Sequence, residues 1–258
     1  MSRTTCTLVI AVAKSRCVNT FHRVIEDDKK REDGKLEHIY YYCKMVILYS
    51  QDISPPCRAV LMVANAIGLK LEIREINLAK KEHLSEEFIK INPLHMIPTL
   101  DDDGFILPDS HAIICYLVDK YAKDDSLYPK ELQKRALVNH FLHLDSSTLF
   151  AIAKSVMKPI LFLNEKTVPE EKMKAWKESF EQLNKILEGK KWLVGDSYTL
   201  ADISCATTVS SSTVLINLDE YPNVKAWLQR SEKELPGYKE CNVEGNDKLS
   251  AMIRAKIA

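Results

Sequence analysis

One stretch constrains this chain more than any other. An apolar, strand-like run, Val46-Ile47-Leu48-Tyr49-Ser50, gives way within a few residues to Ser54-Pro55-Pro56-Cys57-Arg58. Proline suits the first turn of a helix, where its missing N–H has no partner to lose. Apolar residues at Ala59, Leu61, Met62, Ala64, Ala66 and Ile67 then run to Gly68, a good helix stop. The pattern predicts a strand, a short loop and a helix. Ser54 falls at or just before the helix N-terminus, with its hydroxyl beside free N–H groups. Alone, that serine reads as a plain N-cap. Its spacing says more: Ser54-Pro55-Pro56-Cys57 occupies the place where a redox protein built on a strand-then-helix unit carries Cys-x-x-Cys. With a hydroxyl in the first position the chain lacks its own attacking thiol and must borrow one. Cys57 falls inside the helix and reads as a buried small residue rather than a nucleophile.

Two further pieces point to the same kind of site. Asn92-Pro93-Leu94-His95-Met96-Ile97-Pro98-Thr99 ends in a proline that opens a short strand, Thr99-Leu100, which turns at Asp103-Gly104 into Phe105-Ile106-Leu107. The Ile97–Pro98 bond is a candidate for the cis form, a geometry that leaves the Ile97 N–H and C=O free to pair with an extended peptide. Asp109 and Ser110 precede the apolar pattern Ile113, Ile114, Leu117, Val118, Tyr121, which makes a second helix N-terminus, fit to cap its own helix or to receive a carboxylate. The three pieces together suit a small thiol peptide whose sulfur is to be ionised.

The energetics are adequate. A free thiol titrates near ~8.5, and lowering that by two units takes roughly 2.7 kcal/mol. A hydrogen bond to a charged group supplies roughly 1.5–3 kcal/mol. A helix N-terminus adds about 0.3–1 kcal/mol.

From Met45 onward the chain resembles a cytosolic glutathione transferase, most of all the insect epsilon class, with the delta class next. The resemblance rests on Ser54-Pro55-Pro56-Cys57-Arg58, on Glu82-His83-Leu84 before Phe88, on Asn92-Pro93 with His95 and Ile97-Pro98, and on Asp109-Ser110-His111-Ala112-Ile113. Asp125-Ser126-Leu127-Tyr128-Pro129 and Thr199-Leu200-Ala201-Asp202 match as well. It implies an α/β plus all-α fold: a thioredoxin-like glutathione-binding domain at 45–121, a linker at 122–129 and an α-helical domain at 130–258. Ser54 would be the catalytic hydroxyl. His83 and His95 would lie near the glycine end of glutathione, Ile97 would pair with its cysteinyl backbone, and Asp109 and Ser110 would hold the γ-glutamyl group. Pro98, His111 and the cation of Lys154 would complete the glutathione-binding set. Two positions depart from the family pattern. Asp109 stands where glutamate is usual, one methylene shorter, and Lys154 where arginine is common, which keeps the charge and loses the bidentate fork. Both bear on affinity more than on reaction type.

The second half reads as helical. Leu132 to Asn164 is one long stretch interrupted at Lys158-Pro159, Pro169 to Leu187 is a second that ends at Gly189, and Asn223 to Ser231 is a shorter one. Thr199-Leu200-Ala201-Asp202 is a capping box, with Tyr198 and Ile203 placed to form the hydrophobic staple around it. By resemblance the electrophile pocket lies where the long stretch passes the thiol site, lined by Pro56, Phe150, Ala153, Met157 and Leu161 around Lys154. The helical members are spaced by three or four and so share a face, although such a stripe equally describes a core.

Charge and cysteine usage narrow the rest. Lys plus Arg and Asp plus Glu number 36 each among 258 residues, which gives no electrostatic case for nucleic acid or a membrane surface. No run reads as a membrane span. The cysteines at 6, 17, 43, 57, 115, 205 and 241 are scattered, odd in number and without metal-ligand spacing, as expected of a reduced cytoplasmic chain. His140 and His143 lack a third ligand, and no metal is expected. Residues 1–44 carry an apolar run, Leu8 to Ala13, that faintly imitates a secretory signal, then a charged block, Glu26 to Lys35, and Tyr40-Tyr41-Tyr42. Met45 sits where chains of the family begin, so this segment is expected to lie outside the family, as a disordered extension or a gene-model artefact.

The reading is therefore a homodimeric enzyme that joins the glutathione thiolate to hydrophobic electrophiles. Dehydrochlorination, glutathione peroxidase activity and a place in xenobiotic detoxification and insecticide resistance follow from the resemblance. The alternative is a glutathione- or hydrophobic-ligand-binding protein of the same fold without turnover. A thiol–disulfide enzyme needs a cysteine where Ser54 stands.

Overall fold

Tyr49, Thr99 and Pro108 stand side by side in one row of hydrogen-bonded strands, and that row organises the first domain. The computed structural model describes residues 23–30, 36–43 and 45–257. Strand β3 (Val46–Ser50) pairs in parallel with β4 (Leu71–Glu75) through the crossover helix α1 (Pro55–Ala66), and antiparallel with β5 (Thr99–Asp102), which hairpins into β6 (Phe105–Pro108). The order β4-β3-β5-β6 is a mixed, thioredoxin-like sheet. The hairpin turns at Asp103 and Gly104, both at positive φ (58° and 87°), as a two-residue turn requires.

Every residue of β3 is buried, because both faces are covered. Val46 and Leu48 join the core under α1 and α3 (Ser110–Tyr121), while Ile47 and Tyr49 pack with Phe88 of the short helix α2 (Glu86–Ile91) on the other face. The edge strand β4, absent from the sequence reading, alternates apolar Leu71 and Ile73 with charged neighbours and is only half-buried, so it reads as polar loop.

The second domain is helical: α4 (Leu132–Leu144), α5 (Phe150–Leu163), α6 (Glu170–Ile186), α7 (Leu200–Ser212), α8 (Pro222–Glu234) and α9 (Glu244–Ile257). α7 runs through its centre with all thirteen residues buried. Its start is the expected capping box, Thr199 with Asp202. Asp202 Oδ1 also accepts from Leu193 N at 2.9 Å and from Trp227 Nε1 at 3.0 Å, so a single carboxylate ties three elements together.

The long helical stretch is not interrupted where the sequence suggests. Pro159 lies inside α5, and the break is a π-helical turn at Asp145–Leu149. That turn carries one buried carboxylate, Asp145, the sole acidic residue of the run 132–163; π turns of this kind insert an extra residue and recur at functional sites. One 18-residue window within 132–163 has a mean hydropathy of 1.3, enough by length and composition alone to cross a membrane, a test that a core helix also passes. In this fold Val138, Phe141, Leu142, Val156, Met157 and Ile160 on that run are buried in the same core as α7. The helix expected at Asn223–Ser231 is longer at both ends, and the C-terminal π-helical segment Tyr238–Val243 and α9 went unread.

Within the segment expected to be disordered or artefactual, Arg23–Lys30 (β1) and Leu36–Cys43 (β2) pair antiparallel as a separate two-stranded sheet. The apolar run at Leu8–Ala13, the first two cysteines and residues 31–35 of the charged block lie outside the described residues.

Candidate functional site

The row Tyr49–Thr99–Pro108 brings three chain segments out of one edge of the sheet: the loop to Ser54, the turn ending in Ile97–Pro98, and the start of α3 at Asp109. β4 leaves by the same edge, with Ile76 N donating to Ser50 O at 2.9 Å, and leads to His83. The sequence pieces are thus gathered by strand register alone.

Ser54 is the half-buried N-cap of α1, in extended conformation (φ −86°, ψ 116°), and its side chain makes no cap hydrogen bond. No backbone N–H of its own helix therefore holds the hydroxyl, which lies beside the Cys57 thiol. One expectation needs correcting: Pro55 and Pro56 fill the first two helical positions, so the first helical N–H comes from Cys57, and the helix offers an anion fewer donors than an ordinary N-terminus. Cys57 is fully buried. Burial pushes its thiol up despite the Ser54 and Ser50 hydroxyls and the Gln51 backbone nearby, as suits a packing residue rather than a nucleophile.

The Ile97–Pro98 bond is cis, as expected. Among the described residues, neither the N–H nor the C=O of Ile97 has a hydrogen-bond partner. The turn before it is held by Asn92, 2% exposed: Nδ2 donates to Met96 O at 3.0 Å and to Thr99 Oγ1 at 2.9 Å, and Oδ1 accepts from Leu94 N at 3.0 Å. This scaffold keeps Leu94, His95 and Met96 exposed, with His95 at φ 43°. His83 and His95 come together with ring centroids 6.3 Å apart. Burial, with His95 and Lys158 nearby, lowers the His83 pKa, and its Nδ1 is buried without a hydrogen-bond partner.

Asp109, at φ 77°, caps α3: Oδ1 accepts from His111 N at 2.9 Å and Ala112 N at 3.2 Å, so one carboxylate oxygen has the ordinary capping role. Ser110 is buried beside it. His111 turns the other way. Its Nε2 lies 2.8 Å from Ser204 Oγ and 3.2 Å from Asp145 Oδ2, and Ser204 donates to Asp145 at 2.6 Å. The histidine is thereby drawn into the interior between α3, α7 and the π turn rather than left for a ligand. Asp145 and Ser204 were missed, although a lone carboxylate within an apolar helix is a signal that could have found the first.

The predicted pocket lining separates into two groups. Ala153 (0% exposed) and Met157 (5%) belong to the core, which corrects their placement on an open wall. Pro56, Phe150 and Leu161 are half-buried and Lys154 is exposed, its Nζ 5.9 Å from the Phe150 ring centroid. Among the described residues no group of three or more His, Cys, Asp or Glu is arranged to hold a metal, and Cys57, Cys115, Cys205 and Cys241 are free.

Two family descriptions match the chain: "Glutathione S-transferase, N-terminal domain" over residues 48–125 and "Glutathione S-transferase, C-terminal domain" over residues 139–234. "Glutathione S-transferase 1" of Manduca sexta is 39% identical over 218 residues, 83% of this chain and 100% of the relative. An epsilon-class glutathione S-transferase from the housefly, Musca domestica, superposes with a TM-score of 0.78 at 41% identity, covering 82% of this chain and 98% of that one. A Nilaparvata lugens delta-class glutathione transferase gives 0.78 at 39% identity, covering 82% and 99%.

Proposed function

The chain belongs to the glutathione S-transferase family, and from that premise we propose which of its residues carry the reaction. The enzyme conjugates glutathione, its co-substrate, to electrophiles. In our reading Ser54 donates its hydroxyl hydrogen bond to the glutathione sulfur and so favours the thiolate; the thiol proton leaves to solvent. The thiolate attacks an electrophilic carbon, forming the C–S bond while a leaving group such as chloride departs. Ser54 need not act as a base. The observation that carries this is an N-cap hydroxyl with no cap bond, at the edge where the Ile97 and Asp109 segments also emerge.

Around it, Ile97 beside Pro98 pairs with the cysteinyl backbone, His83 and His95 face the glycine end, and Asp109 with Ser110 takes the γ-glutamyl end. Asp109 reaches it with the carboxylate oxygen not engaged in its cap. Residues 45–121 form the glutathione domain, 122–129 the linker and 130–258 the helical domain. Pro56, Phe150 and Leu161 line the electrophile pocket in front of Ala153 and Met157, with Lys154 at its rim. Such a pocket suits apolar electrophiles. Dehydrochlorination uses the same thiolate as a base that removes a carbon-bound proton as chloride departs. In peroxide reduction a first glutathione thiolate attacks a peroxide oxygen, the O–O bond breaks to release an alcohol, and a second glutathione attacks the resulting sulfenic acid to give the disulfide and water.

The epsilon class is the assignment we favour, on the local motifs, since the identities to the epsilon- and delta-class structures are nearly equal at 41% and 39%. We assign the enzyme to the cytoplasm and to a homodimer, in keeping with its free cysteines and with exposed apolar residues such as Phe105, Leu132 and Leu137. The test is conjugation of a chloronitrobenzene by wild type and Ser54→Ala. A large fall in kcat with glutathione KM little changed supports the assignment, and an unchanged kcat removes Ser54 from it.

A further inference from the structure

Arg58 is a buried cation that the reaction described above does not use. It lies in the first turn of α1, 0% exposed, and all five of its N–H groups meet neutral acceptors. Nε donates to Asn242 Oδ1 at 2.8 Å, Nη1 to the carbonyls of Asp52 at 3.1 Å and Ile53 at 3.2 Å, and Nη2 to Asn246 Oδ1 at 3.5 Å and to Ser211 Oγ. Among the described residues no carboxylate lies within ion-pair distance of it, and burial draws its pKa down to about 10 against the weaker pull of Cys57, Tyr238 and the Asp52 charge. A buried charge without a counter-ion is tolerated only where its donors are satisfied.

The origin of those acceptors shows what the cation holds together. Asp52 and Ile53 immediately precede Ser54. Asn242 and Asn246 come from the C-terminal segment, 184 and 188 residues further along the chain. A second contact joins the same two segments through backbone packing. Gly245, near the start of α9, sits so close to the loop that a Cβ on it would lie 2.2 Å from Asp52 O and 3.0 Å from Arg58 Cδ. Lys248, one turn on, pairs with the Asp52 carboxylate at 2.7 Å. At the other end of the segment a Cβ on Gly237 would lie 2.8 Å from the Asn65 side chain. The C-terminal segment therefore clasps α1 from its first turn to its last.

We propose that Arg58, Asn242 and Gly245 form a positioning unit that fixes the loop before Ser54 against the C-terminal segment, so that this segment helps set the pKa of the bound glutathione thiol. The proposal rests on Ser54 as the thiolate's hydrogen-bond donor. A donor displaced by about 1 Å loses much of its effect, on the order of 100-fold in rate. The unit acts through geometry, so charge alone cannot replace it.

The test compares full-length Gly245→Ala, Asn242→Ala and Arg58→Lys with wild type, with Ser54→Ala as the reference and Lys225→Ala, which breaks an exposed pair with Asp219, as the surface control. Each is read by thiolate absorbance of the glutathione complex against pH, by kcat and glutathione KM, and by thermal melting. Gly245→Ala, Asn242→Ala and Arg58→Lys are expected to raise the bound thiol pKa by about one unit and lower kcat about tenfold, while Lys225→Ala keeps the wild-type pKa. If Arg58→Lys gives no cooperative melt, the other two variants decide. Folded Gly245→Ala and Asn242→Ala proteins that melt earlier yet keep the wild-type thiol pKa would overturn the proposal and leave a packing role only. If Ser54→Ala itself leaves that pKa unchanged, the Ser54 assignment falls and the positioning unit with it. If Ser54→Ala shifts it and Gly245→Ala does not, the positioning unit alone falls.

Discussion

Replacing Asn92 by alanine separates what holds the fold from what holds the substrate. The side chain is 2% exposed and makes three hydrogen bonds that close the turn from Leu94 to Thr99. At about 0.5–1.5 kcal/mol net for each bond the loss ranges from roughly 1.5 to 4.5 kcal/mol. The lower half of that range applies, because Leu94 and Met96 are exposed and their freed groups rehydrate, while Thr99 Oγ1 keeps its own bond to Met96 O at 2.8 Å. About 2 kcal/mol corresponds to a Tm lower by about 4–8 °C in a chain of this size. The same bias holds Ile97 and His95 in place. Its loss should weaken glutathione binding by about ten- to thirty-fold, since ~1.4 kcal/mol is a factor of ten. Melting curves and initial rates over a glutathione series test this: KM for glutathione should rise by that factor, with kcat at saturation within about twofold. A variant that melts earlier with an unchanged glutathione KM would refute the role given to this turn.

Other predictions follow from single interactions. Burial pushes the Asp102 carboxyl up, but hydrogen bonds from Lys120, Tyr116 and Tyr121 and the Lys120 charge hold it below its ordinary value. A depressed folded pKa adds stability that is present above the unfolded value of ~3.9 and lost as pH falls through the folded one. Asp102→Asn should thus lower Tm at neutral pH and flatten its decline in acid; an unchanged acid slope contradicts the assignment. Asp202→Ala strands the N–H groups of Leu193, Thr199 and Trp227 inside the core, which costs about 3–5 kcal/mol in denaturant unfolding. A loss under ~1 kcal/mol would show that water or a rearrangement replaces the carboxylate. Cys57, fully buried with its thiol pushed up, should resist alkylation in the native protein, and Cys57→Ala should keep conjugating activity. Loss of turnover in that variant would revive a thiol-based mechanism.

What was legible in the sequence was local. Ser54 ahead of two prolines, Asp109 ahead of an apolar helix, the Asp103-Gly104 hairpin and the Thr199–Asp202 box each carry their signal within a few residues, and each stands where that signal places it. What was hidden depends on partners far along the chain. Periodicity puts Ala153 and Met157 on one face but cannot say whether that face meets a pocket or the core. His111 was assigned with its neighbours in the motif, yet Asp145 and Ser204, 34 and 93 residues away, draw it inward. Pro159 signalled a break, and the helix broke instead at Asp145–Leu149. Arg58 sat in plain view inside a motif, and its purpose emerged only when residues 242–246 folded back onto it.

The most direct test of the account is the titration of enzyme-bound glutathione by thiolate absorbance, wild type beside Ser54→Ala. A bound thiol with a pKa well below the free value of ~8.5 in wild type, returning toward it in the mutant, is the predicted result. A thiol that titrates like free glutathione in both would contradict it, and would leave a protein that binds glutathione without activating it.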